Sequence, residues 1–137
     1  MIDQVATVFV PTQDQDRALA FFVDKLGFTK RRDFPYAGGR WLEVAPTGST
    51  IALALVPGGE GTAPARDDVR CALTTRDIAA AHARLRDLGV DVDPVIGRVG
   101  TQRPGLVVAE VVVPDVQPPQ VIFRDSEGNR FLLVEVR

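Results

Sequence analysis

The stretch Phe123-Arg124-Asp125-Ser126-Glu127-Gly128-Asn129-Arg130-Phe131-Leu132-Leu133-Val134-Glu135 decides the fold. It reads as a strand, a tight turn and a second strand. Gly128 and Asn129 are residue types that tolerate positive φ in such a turn. The flanking runs Val121–Phe123 and Phe131–Val134 are rich in β-formers. Upstream, Leu106–Val113 reads as a strand that is apolar on both faces except at Glu110, and Val69–Thr74 as another. Between them Ile78, Ala81, Leu85 and Leu88 make the stripe of a helix, with Gly89 as its stop. Thr74, three residues before Asp77, has the spacing of a capping box.

The first half repeats this order. Val5–Val10 is an apolar run. Leu19, Phe22, Val23 and Leu26 fall at i, i+3, i+4 and i+7, which predicts a helix over Asp16–Leu26 with Gly27 as its stop. Strands follow around Arg40–Ala45 and Thr50–Val56. Pro57–Pro64 is a linker by composition. Leu26-Gly27 and Leu88-Gly89 sit at matching places, a weak internal repeat. Helices with short-turned antiparallel strands argue an α+β fold. A ferredoxin-like sandwich also contains such pieces. One domain over 1–137 is expected, built of modules at 1–60 and 66–137.

The 137 residues are 45% hydrophobic and 25% charged, as in an ordinary globular domain. Sixteen basic and eighteen acidic residues give a net charge of −2, so no basic field invites nucleic acid. No apolar run is long enough to span a membrane. The start, Met1-Ile2-Asp3-Gln4-Val5, has no basic n-region, and a cytoplasmic location is the expectation. The single cysteine, Cys71, excludes an internal disulfide. With the single histidine, His82, it cannot supply a structural zinc site.

The tail resembles the D-P-D-G-N-x-I-E-L ending of the vicinal oxygen chelate superfamily, the glyoxalase, bleomycin-resistance and extradiol dioxygenase group. Asp16-Arg17-Ala18-Leu19-Ala20-Phe21-Phe22 through Leu26-Gly27-Phe28 is similar to its D-x-x-x-A-x-x-F-Y…L-G-F opening. Arg40-Trp41-Leu42-Glu43-Val44 is also familiar in position. The resemblance spans nearly the whole chain. It implies paired β-α-β-β-β modules whose curved, mixed sheets enclose a cup. In metal-dependent relatives that cup holds a divalent ion, a Lewis acid for two neighbouring substrate oxygens.

Carried over one position at a time, the expected ligands are missing. The first strand's histidine falls on Gln4 or Val5. The strand at Thr50–Leu55 offers no donor. The fifth strand's histidine falls on Arg70, and the last strand's glutamate on Leu132. No metal and no cofactor are therefore expected. The candidate ligand-binding residues are Arg70, Trp41, Glu43, Leu132 and Gln4. Arg70 suits an anionic or strongly polar group through its planar donor fork, or else points to solvent or pairs with Asp67 or Asp68. Trp41 would stack on a planar ligand or pack as core, and Glu43 shares its side of the strand. His82 reads as a solvated or edge-packed ring. Cys71 reads as a buried thiol. Asp33–Gly39 reads as a pocket lid or a hairpin connection, and Ile96–Gly105 as a mobile basic segment.

The functional expectation is a metal-independent protein that holds a small organic ligand in an apolar cup. The rival is a glyoxalase- or dioxygenase-type enzyme with a non-standard site. A third class is an accessory domain that binds protein. A homodimer is expected, because Leu106–Val113 needs burial on both faces and relatives commonly pair.

Overall fold

The computed structural model describes residues 1–58, 69–97 and 118–136. Its elements run β1 (Thr7–Thr12), α1 (Gln15–Ala20), β2 (Thr29–Tyr36), β3 (Gly39–Ala45), β4 (Ala52–Pro57), β5 (Val69–Thr75), α2 (Ile78–Asp87), β6 (Asp91–Val92), β7 (Gln120–Arg124) and β8 (Arg130–Glu135). A π-helical turn, Phe21–Lys25, continues α1. The strands form two four-stranded mixed sheets in the orders β1-β4-β3-β2 and β5-β8-β7-β6. Each outer pair, β1 with β4 and β5 with β8, is parallel, and the remaining pairs are antiparallel. The order β-α-β-β-β therefore occurs twice, as the tail, the helices and the two Leu-Gly stops imply. The strand at Leu106–Val113 and most of Ile96–Gly105 lie outside the described residues.

The chain divides into two units, and the turn residues Ser126–Gly128 belong to the first. In that unit β4 alternates Ala52-Leu53-Ala54-Leu55, and period-two side chains divide accordingly. Leu53 and Leu55 share a face with Val10, Leu42 and Val44 by register, and all five are buried. From the helical segment, Ala18, Phe21 and Phe22 are buried with them. The stripe expected at Leu19, Val23 and Leu26 is only half-buried. For Val23 and Leu26 the π turn explains the offset: Leu26 N–H donates to Phe21 O, five residues back, so side chains beyond Phe22 rotate off the α-helical face.

Both helices start in the same way. Asp14 caps α1 by accepting from Arg17 N–H at 3.0 Å, and Asp77 caps α2 by accepting from Ala80 N–H at 2.9 Å. Two residues earlier, the hydroxyls of Thr12 and Thr75 accept from the cap residues' own N–H groups. The capping box read at Thr74 is thus corrected. Thr74 is a β5 residue, and the Thr-x-Asp pair Thr75–Asp77 makes the cap. Gly27 at φ 73° and Gly89 at φ 74° end the two helical segments.

Two readings left open in the sequence are resolved. Asp33–Tyr36 is neither lid nor loop but the end of β2, joined to β3 through Ala37-Gly38, with Gly38 at φ 88°. The hairpin alternative is the one that holds. His82 is buried rather than solvated, its Nε2 lying 2.8 Å from Asp93 O.

In the second unit Val121, Phe123, Phe131 and Leu133 form one buried face, with the Phe123 and Phe131 rings stacked at 5.5 Å. Gly128 alone takes positive φ in the tail turn, at 83°; Asn129 does not. Asn129 is instead held by its neighbours. Its N–H donates to Asp125 Oδ1 at 2.9 Å, and its Nδ2 donates to Asp125 Oδ2 at 3.0 Å.

Candidate functional site

Alternation puts a second set of side chains on the other face of the first sheet. Register aligns Phe9 with Ala54, Ala54 with Glu43, and Glu43 with Arg32, giving one row across β1, β4, β3 and β2. Trp41, two residues from Glu43, shares the face and pairs with Phe34. Phe9 meets Trp41 edge-on with ring centroids 6.1 Å apart, and Tyr36 meets it at 6.3 Å and 78°. Phe9 is 58% exposed and Tyr36 48%, so the aromatic rim is open. Beside it on β4, Ala52 and Ala54 are buried, at 5% and 0% exposed.

Glu43 is 7% exposed, unusual for a carboxylate. Among the described residues its ion-pair partner is Arg32 Nε, 3.2 Å from Oε2, and the Arg32 side chain is 68% exposed. The hairpin that carries these groups is fixed from behind. Arg40 donates to both oxygens of Asp33 at 2.8 Å and to Asp16 at 2.6 Å. The hydrogen bonds from Arg40 hold the Asp33 carboxyl at about 2. Gln15 Nε2 donates to Arg40 O at 3.0 Å and Leu55 O at 2.8 Å, tying α1 to β3 and β4 next to Trp41.

Trp41 and Glu43 are thus brought together, with Phe9 and Tyr36 added. Phe9 was hidden in the sequence inside an apolar run. Once Val8 and Val10 are assigned to the helix side, a large aromatic between them is the available signal. Gln4 is exposed and precedes β1, and Val5 is exposed too. The first-strand residue in the row with Ala54 and Glu43 is Phe9.

In the second unit Arg70 lies at a register shift between Val69 and Cys71. Its Nε donates to Asn129 Oδ1 at 3.0 Å. Leu132 pairs with Ala72 on one side and Ile122 on the other. Leu132 and Ile122 form a buried cluster with Val69 and Val134 against it. The Cys71 thiol is pushed up to about 11 by burial, which leaves it unreactive at neutral pH.

The profile of the Glyoxalase/Bleomycin resistance protein/Dioxygenase superfamily matches residues 2–133. The chain belongs to this superfamily. TnmS3, an antibiotic binding protein from Streptomyces sp. CB03234, is 31% identical, with a TM-score of 0.74 over 99% of this chain and 98% of that one. A superfamily member from Sphaerobacter thermophilus DSM 20745 has a TM-score of 0.79 at 27% identity, covering 98% of each chain. The Bacillus subtilis (strain 168) protein YetH is 29% identical over 136 residues, 98% of this chain and 100% of its own.

Metal-dependent members of the superfamily would place a divalent ion among carboxylate and imidazole donors. The donor set here does not fit one. Leu132 occupies the glutamate position within an apolar cluster, and β4 presents Ala52 and Ala54. Among the described residues no group of three or more His, Cys, Asp or Glu could hold a metal ion. Among them, too, no helix is long and apolar enough to cross a membrane.

Proposed function

We propose that this member of the superfamily is a metal-independent binding protein for a small organic molecule, acting by sequestration rather than by reaction. The observation that carries the reading is the open aromatic face of the first sheet. A planar ligand would lie against the exposed rings of Phe9 and Tyr36 beside Trp41. Trp41 and Glu43 are the proposed ligand contacts of the first unit; Arg70 and Leu132 are proposed contacts of the second unit taken by itself. Gln4 has the weakest support, being exposed ahead of β1. The antibiotic binding role of TnmS3, at 31% identity over nearly the whole chain, supports this class of function. The two units would work as one domain, in the cytoplasm.

The test uses Trp41, the only tryptophan, as reporter. Quinoline, a neutral planar probe, is titrated into protein dialysed against chelator. Saturable quenching of Trp41 is expected, with loss of binding in Trp41→Ala by calorimetry. Linear, non-saturable quenching would overturn the reading.

A further inference from the structure

We infer that the first-sheet site selects ligands bearing a positively charged nitrogen on or beside a planar aromatic ring. The inference rests on the binding reading above and adds the charge of the ligand. Its basis is the pairing of an aromatic rim with a buried carboxylate on one sheet face.

A carboxylate offers about four lone-pair positions. One that is buried normally fills most of them, because an unsatisfied charge away from water is costly. Glu43 is 7% exposed, and its one ion-pair partner among the described residues is an Arg32 nitrogen 3.2 Å from Oε2, which fills only part of those positions. Arg32 reaches it from β2, an edge strand exposed along its whole length. Such a half-solvated pair is weak, since the exposed partner is screened and gives up side-chain entropy to stay in place. Arg32 is therefore a replaceable counter-ion.

The rest of the face suits the replacement. Trp41 is the best aromatic partner for a cation, and Phe9 and Tyr36 stand in T-shaped contact with it. Ala54, opposite Glu43 in the register, contributes only a methyl group beside the carboxylate. An anionic ligand would face Glu43 uncompensated. A neutral one would stack but gain nothing from it.

N-Methylquinolinium and 1-methylnaphthalene test this directly, because they share one shape and differ in charge. The cation is expected to bind at least roughly tenfold more tightly. Glu43→Gln should abolish that preference, read as the ratio of the two affinities. Arg32→Ala, with its folding checked by circular dichroism because it strips Glu43 of its counter-ion, should raise the cation-over-neutral affinity ratio by removing a competitor. A purely structural Arg32–Glu43 pair would do neither. Equal affinity of wild type for the two probes, or an unchanged preference in both variants, would overturn the inference. Saturable quinoline binding in that case would leave the binding reading standing.

Discussion

Glu127 shows how a single buried charge is made tolerable. Its side chain is 3% exposed and accepts from the Thr12 hydroxyl at 2.7 Å, Asp14 N–H at 3.2 Å and Arg17 at 2.9 Å. Burial by itself would raise its pKa. The hydrogen bonds from Thr12 and Arg17, the charge of Arg17 and the Asp14 amide outweigh that and hold it below the usual carboxylate range. A carboxyl whose pKa is lowered by folding contributes stability above its unfolded pKa, and that contribution is lost as pH falls through the folded value. Glu127→Gln should therefore cost about 1–3 kcal/mol at neutral pH by urea denaturation. The gap to wild type should close in acid, and a gap independent of pH would contradict the clamp. Asp33, held at about 2 by Arg40, adds to the same acid sensitivity between the normal carboxylate range and that value.

The elements differ in how legible they were. The two Leu-Gly stops and the Gly128 turn were readable because positive φ leaves few residue choices, and all three glycines adopt it. Gly128→Ala should cost about 1–2 kcal/mol in melting or urea experiments; no change would mean the turn relaxes freely. Strand β2 was not readable. Lys30-Arg31-Arg32-Asp33 on an exposed edge shows no apolar alternation, since neither face is buried. Trp41 and Glu43 could be placed on one side from the alternation of β3 alone. Their partner Phe9 could not, because Val8-Phe9-Val10 has no polar residue to mark the faces. On β8, Leu132, expected from the resemblance to replace a ligand, lies in a buried cluster with Ile122, against which Val69 and Val134 pack. Leu132→Glu should cost about 3 kcal/mol or more by burying an unpaired charge, measured by urea denaturation with and without added Zn²⁺ or Mn²⁺. Rescue of stability by the metal would show that the site needed only this one ligand.

For the whole molecule, the superfamily assignment and the twice-repeated β-α-β-β-β order agree with the tail motif that first suggested them. Assembly and chemistry are less tightly written in the sequence. The homodimer was argued from Leu106–Val113, outside the described residues, and it stands as a proposal. Sedimentation at micromolar concentration should give twice the 14.8 kDa of one chain, and a sharp monomer boundary would refute it. Binding without metal is the central claim, and calorimetry with quinoline on metal-stripped protein tests it most directly, followed by mass analysis of the recovered compound. Saturable binding in the presence of chelator, unchanged by added Ni²⁺, Zn²⁺, Fe²⁺ or Mn²⁺, with the quinoline returned intact, is the predicted result. Binding that appears only when a metal is restored, or a chemically altered compound, would contradict the account.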